Sequence, residues 1–320
     1  MSKLWLLLIS LVGAIASSVT PAAGQSTTRY DGPIIDVHLH AYLPQAYPQT
    51  ANPVTERPPV SRTAEEHMRA TLDSMDEHNI VVGFVSGPLE AVQAWREFAP
   101  ERFVGGTSFG RAGVVSLEEL RARFEDGRLG LLGEIGAQYE GLSPSDPQFE
   151  PYFALAEELD IPVGIHTGTS APRTAFGHPA GGASPNFRLR YGNPLLLEDM
   201  LVRHPNLRVF MMHMGDPWLT ETLAMLWMYP DLYVDLSVKN WVNPKEEFHR
   251  YLKALVDAGN GKRLMFGSDQ MIWPEVIGLA IEGIESADFL SAEQKADIFY
   301  NNAARFLRLT EEEITAHHSR

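Results

Sequence analysis

Between Ile34 and Asp269 the chain carries eight short apolar runs rich in β-branched residues, each followed by a longer segment with helical spacing of its apolar positions. The runs are Ile34–His40, Ile80–Gly87, Phe103–Gly110, Leu131–Gly136, Ile161–Gly168, Arg208–Gly215, Leu232–Ser237 and Leu264–Asp269. Near-continuous apolar runs suit strands buried on both faces, and strands alternating with helices pair in parallel. Helix starts follow most runs: Thr63-x-x-Glu66 and Ser116-x-x-Glu119 read as capping boxes, and Asn193-Pro194, Asp216-Pro217 and Asn243-Pro244 as a cap followed by a first-turn proline. Eight such units predict a single-domain α/β protein, a (β/α)8 TIM barrel over residues 34–309, with its site where strand C-termini meet the following loops. A doubly wound open sheet is the competing arrangement.

Composition narrows the chemistry. The 320 residues include no cysteine, which removes disulfides, thiolate metal ligands and a Cys nucleophile and leaves histidine, carboxylates, hydroxyls or a cofactor. A net charge of −15 repels phosphate backbones and anionic lipid, so neither nucleic acid nor a membrane surface is an expected partner; a small molecule is. Residues 1–24 read as a secretory signal: Lys3, an apolar run from Leu4 to Ala16, and small residues at Ala14-Ile15-Ala16 or Ala22-Ala23-Gly24 for cleavage. The run is too short to span a bilayer, so a soluble periplasmic or secreted protein is expected. Residues 25–33 form a polar lead-in and residues 310–320 a polar tail. The oligomeric state is open, with a homodimer compatible.

The predicted strand ends carry polar groups in otherwise apolar surroundings. Alternation along Asp36-Val37-His38-Leu39-His40 places Asp36, His38 and His40 on one face, and two imidazoles so spaced can converge on one cation. Strand four holds Glu134, strand five ends at His166, strand six at His213 and strand eight at Asp269. A carboxylate buried unpaired in such a strand costs several kcal/mol, and these strand cores contain no Lys or Arg to pair with it. A shared divalent metal, Zn2+ foremost with Mn2+ or Fe2+ also suited to imidazole and carboxylate, answers all six residues together. The other histidines read as helix or tail residues, except His178 in the loop after strand five, a candidate substrate contact.

Asp36-Val37-His38-Leu39-His40, Gly133-Glu134-Ile135-Gly136, His166-Thr167-Gly168, His213-Met214-Gly215, Gly267-Ser268-Asp269 and Asn301-Asn302-Ala303-Ala304-Arg305-Phe306, taken in order, resemble the amidohydrolase superfamily, in its amidohydrolase-related branch that also contains aromatic-acid decarboxylases. The resemblance implies a TIM barrel and a divalent metal held by His38, His40, His166 and Asp269, with His213 as further ligand or proton-handling group. Glu134 marks the point where the family divides. As a bridge, it implies two ions, one on His38, His40 and Asp269 and the other on His166 and His213; as a brace, it implies one.

The first reading is a metal-dependent hydrolase in which activated water attacks an ester, lactone or amide carbonyl, with Asp269 as general base and His213 assisting. The second is a mononuclear decarboxylase of an aromatic or enol acid with His213 handling the proton, and the third a binding protein without turnover. Decarboxylation calls for a cation at the substrate carboxylate, for which Arg173, Arg188 and Arg190 are available in the strand-five loop. Trp218, Trp241 and Trp273 lie a few residues beyond strands six, seven and eight, where they can wall an aromatic pocket or pack loops on the rim. The loops at Tyr42–Arg62 and Thr169–Asn193, rich in proline and in glycine, proline and serine respectively, read as lids.

Overall fold

A computed structural model describes residues 29–47, 51–109, 115–177 and 184–320; the signal reading of residues 1–24 and His178 lie outside them. The strands are β1 (Ile34–His40), β2 (Ile80–Ser86), β3 (Phe103–Phe109), β4 (Leu131–Ile135), β5 (Val163–His166), β6 (Val209–Met212), β7 (Tyr233–Asp235) and β8 (Leu264–Met265). They pair in parallel in that order. The ring closes through main-chain hydrogen bonds from Val37 N to Phe266 O (3.1 Å) and from Asp269 N to His38 O (2.8 Å). Gln270 completes this seam: its side chain accepts from His40 N at 2.8 Å and donates to His40 O at 3.0 Å. The eight expected strands are therefore present in a barrel, and the open sheet is not.

The helices are α1 (Ala64–Glu77), α2 (Leu89–Phe98), α3 (Leu117–Glu125), α4 (Glu150–Glu158), α5 (Glu198–Arg203), α6 (Leu219–Met228), α7 (Lys239–Val242), α8 (Lys245–Asp257), α9 (Val276–Glu285), α10 (Ala292–Ala296), α11 (Asn302–Leu307) and α12 (Glu311–His318). Thr63 and Ser116 cap α1 and α3 as their spacing predicts, each accepting from the third helical N–H. Asp216 and Asn243 do not act as caps, because their side chains bond each other at 3.4 Å on the rim. The polar tail is ordered as α12, where Thr310 and Glu313 form a capping box although the helix buries no residue.

Most of the core lies between barrel and helices. A second apolar cluster includes Ile35, Val37, Leu131, Phe210, Met212 and Met265 together with Tyr300, Ala304 and Phe306 from the C-terminal segment. Asn302 anchors that segment where β8 begins, donating to Leu264 O at 2.7 Å and Gly261 O at 2.8 Å. The segment after β8 thus packs against the apolar side chains of the strands from the side where β8 begins.

Two packing features generate predictions. A Cβ on Gly283 of α9 would lie 2.0 Å from Asn240 O in α7, so only glycine permits this approach. The approach serves the site, since Asn240 and Trp241 of α7 donate to Gly267 O (2.9 Å) and Ser268 O (2.8 Å), the residues before Asp269. Gly283→Ala is expected to destabilise by about 1–3 kcal/mol despite a better helix propensity, read as a lower urea midpoint. His67 of α1 is fully buried, bonded to Tyr47 Oη at 2.7 Å and edge-on to Trp95, and burial pushes its pKa down to about 3. The folded ring stays neutral while the unfolded one charges below about 6.5, so its stabilising contribution is complete above that pH and declines as pH falls towards 3. Lowering the pH from 7.5 to 5 is expected to remove about 2 kcal/mol through this residue, and His67→Leu to flatten the unfolding free energy over that interval.

Candidate metal centre

Six side chains from five strand ends meet above the apolar interior. His38 Nε2 lies 3.2 Å from His40 Nε2, and Asp269 Oδ1 is 3.0 Å from His40 Nε2 and 4.0 Å from His38 Nε2. Glu134 spans the group. Its Oε2 lies 3.5 Å from His40 Nε2 and 3.8 Å from His38 Nε2, and its Oε1 lies 3.3 Å from His213 Nε2 and 3.6 Å from His166 Nε2. Two ligand sets fall within 4.8 Å of mutual separation: His38, His40 and Asp269, and His38, Glu134 and His213. His166 joins through ring contact with His213, at a centroid separation of 4.5 Å.

Asp36, read on the same strand face but not as a ligand, lies outside the cluster. The pairing of β1 with β2 shifts register between Asp36 and Leu39. Asp36 Oδ1 instead accepts the main-chain N–H of His38 and of Ser268, each at 3.0 Å, and so braces the seam that brings His38 beside Asp269. Burial pushes the Asp36 pKa up to about 7.

Sequence reasoning missed the group that orients the histidines. Asp235, at the end of β7 and fully buried, has Oδ2 2.8 Å from His38 Nδ1, and its Oδ1 accepts from His213 N at 2.8 Å. Ser237 donates to Asp235 Oδ1 at 2.6 Å and lies 2.9 Å from His38 Nδ1 and 3.0 Å from His213 Nδ1. The serine has one proton, and the carboxylate takes it. Both imidazoles therefore carry hydrogen on Nδ1 to bond Ser237, and each turns Nε2 towards the centre. The signal was the alternating pair Asp235-x-Ser237 ending an apolar run, the same spacing that singled out His38 and His40.

The electrostatics ask for a cation. Burial opposes charge on His38, yet Asp269, Asp235 and Glu134 together hold its pKa well above its usual value. Against the same opposition His166, His213 and His38 hold Glu134 well below the carboxylate range, and His38, His40 and His213 bring Asp269 down to about 2. His166 goes the other way: burial lowers it to about 3, with Glu134 opposing. Asp269 Oδ1 and His166 Nδ1 are buried without a hydrogen-bond partner. Imidazole nitrogens and carboxylate oxygens with no sulfur suit Zn2+, Mn2+ or Fe2+, so the residues fit a divalent metal.

The rim differs from the sequence picture in detail. Arg173 is exposed, at a φ of 67°. The buried cation here is Lys239 of α7, which donates to Thr169 Oγ1 at 2.7 Å and pairs with Asp216 at 3.2 Å, tying the loops after β5, β6 and β7 together. Trp241 and Trp273 are buried edge to face, 6.5 Å apart, and pack the rim; Trp218 is half-buried. Aromatic rings beside the candidate ligands come from elsewhere: Tyr42 lies 5.9 Å from the His40 ring, Tyr139 lies 5.1 Å from the His166 ring, and Phe187 stands behind Tyr139 at 5.3 Å. His213, Met214, Val238, Asp269 and Met271 all have φ between 47° and 64°, so non-glycine residues in left-handed backbone cluster where the last strands end. Such backbone costs about 1–3 kcal/mol each and persists only where its surroundings enforce it.

A parallel barrel with histidines and carboxylates converging above its strand ends defines a metal-dependent barrel enzyme class. The amidohydrolase family model matches residues 35–309, and the chain belongs to that family. Among characterised proteins, the gamma-resorcylate decarboxylase of Rhodococcus jostii is 27% identical, the match covering 74% of this chain and 86% of that one. Protein fluG of Emericella nidulans is 20% identical over 146 residues, a match spanning only 17% of its length. Among solved structures, a dihydroxybenzoic acid decarboxylase from Polaromonas sp. JS666, with bound manganese and 2-nitroresorcinol, has a TM-score of 0.57 at 15% identity, covering 87% of this chain and 98% of that one. A probable 2-pyrone-4,6-dicarboxylic acid hydrolase from Acinetobacter baumannii, with citric acid bound, has a TM-score of 0.58 at 16% identity, covering 86% and 99%.

Asp235 supplies the next test. In Asp235→Asn the anion behind His38 is lost while the shape is kept, and affinity for Mn2+ or Zn2+ should fall about 10- to 100-fold, as is usual for groups that orient metal-binding histidines. Titration calorimetry of the metal-free protein measures this; equal affinities would leave Asp235 a packing role only.

Proposed function

We propose that this chain is a metal-dependent carboxy-lyase that removes CO2 from a small aromatic acid carrying a hydroxyl beside its carboxylate. The observation that carries the reading is His213 facing Glu134 at 3.3 Å with its other nitrogen held by Ser237. That arrangement lets Nε2 take up a proton, with Glu134 stabilising the resulting imidazolium, and hand it to the ring carbon. A ring π pair forms the new C–H bond; the carbon–carbon bond then breaks, its electron pair returns to the ring and restores aromaticity, and CO2 leaves. A divalent metal held by His38, His40, His166 and Asp269 would supply positive charge for the substrate's phenolic and carboxylate oxygens. Tyr42, Tyr139 and Phe187 supply flat walls for an aromatic ring. The likeness to aromatic-acid decarboxylases supports the same reading.

Hydrolysis is the second reading, favoured by the reach of Glu134 to both histidine pairs, which suits a carboxylate shared by two ions. Asp269 would then act as general base towards an ester, lactone or amide. The export reading of residues 1–24 accompanies either, and sequencing the N-terminus of the mature protein tests it.

One experiment separates the two chemistries. Metal-reconstituted protein is incubated with dihydroxybenzoates, aryl esters and lactones, and metal content is measured for the native chain and Glu134→Gln. Release of CO2 with about one ion per chain in both proteins is the expected result. Ester or lactone cleavage, with two ions falling to one in Glu134→Gln, would replace decarboxylation by hydrolysis.

A further inference from the structure

We infer that Tyr139 is a positioning residue: with Ser170 and Thr174 it forms a one-way hydroxyl relay that fixes His166 as the Nε2–H tautomer and reserves Nδ1 as the atom this ring offers a cation. The inference rests on the reading of the strand ends as a metal centre, and it concerns a device outside the ligand set.

The relay is read from its far end. Thr174 Oγ1 lies 2.6 Å from Ala171 O, and a carbonyl can only accept, so the threonine proton is committed there. Ser170 Oγ lies 2.9 Å from Thr174 Oγ1 and must donate to it. Tyr139 Oη lies 2.9 Å from Ser170 Oγ, whose proton is spent, so the phenol donates in turn. Tyr139 Oη is also 3.1 Å from His166 Nε2, and with its own proton directed to Ser170 it accepts there. The hydrogen of His166 is therefore on Nε2.

Two independent observations agree with this assignment. His166 Nδ1 is buried with no hydrogen-bond partner, as a nitrogen reserved for a cation would be in the metal-free chain. Nε2 faces Glu134 Oε1 at 3.6 Å, where a hydrogen on that nitrogen is favourable and a bare lone pair is not. His38 and His213 are set in the opposite sense by Ser237 and present Nε2. The centre thus carries two tautomer-setting relays of opposite direction. One is built on β7; the other runs from the turn after β4 into the loop after β5.

The chemistry of the relay supplies its own test. Tyr139→Phe removes the acceptor. Ser170→Ala keeps the phenol but frees its proton to turn towards His166 Nε2, which reverses the tautomer. Nitrogen-15 NMR of metal-free protein labelled at histidine, with His166→Gln used for assignment, distinguishes a protonated from a bare ring nitrogen. Manganese binding is measured alongside by titration, and thermal unfolding checks that the variants fold. The expected result is Nε2–H at His166 in the native chain, a shift towards Nδ1–H in Ser170→Ala, and Mn2+ affinity lowered about 10- to 100-fold in both variants, as for other groups orienting a metal-binding histidine. Nδ1–H in the native chain would overturn the relay, as would unchanged tautomer and affinity in well-folded Ser170→Ala. A native chain that shows Nε2–H but takes up no manganese or zinc would overturn the metal-centre reading while leaving the tautomer assignment standing.

Discussion

Residues 38 and 269 are far apart in the chain, and a single main-chain hydrogen bond, Asp269 N to His38 O at 2.8 Å, makes them neighbours. The closed ring depends on that seam, and so does everything above it. Asp36 reinforces it with two main-chain contacts and Gln270 with two more. A barrel left open at this edge would hold the first-strand histidines apart from Asp269, and the ligand set would be two half-sites.

Rigidity around the centre comes from layers of support. Asp235 and Ser237 hold the histidines, α7 holds the Gly267–Asp269 segment through Asn240 and Trp241, and α9 gives way at Gly283 so that α7 can come close. Left-handed backbone at His213, Val238 and Asp269 shows what that support overcomes. Strain of this kind is tolerated where side chains must be aimed precisely, which is the demand that a metal site makes.

Much of this was legible in the sequence, for identifiable reasons. Eight apolar runs announced eight strands because both faces of a barrel strand are buried, and isolated polar residues at their ends stood out against that background. Asp36 was legible as a polar group in an apolar strand but its partners were not, because its carboxylate meets the main chain of His38 and of Ser268 across the β1–β8 seam. Asp235 and Ser237 escaped notice because their work is to hold other side chains, and nothing in their own spacing names the histidines they meet. Lys239 carried no signal in the sequence, and only the converging loops show that its charge is buried against Asp216. The spacing of the tryptophans left wall and packing roles open, and the structure has Trp241 and Trp273 meet edge to face, with Trp241 bonded to Ser268 O.

The plug formed by Tyr300, Ala304 and Phe306 has a bearing on biosynthesis. A ribosome makes these residues after all eight strands, so the interior can be sealed only once the segment beyond β8 has been synthesised. The order in which the parts are made therefore puts closure of the barrel floor after all of its walls.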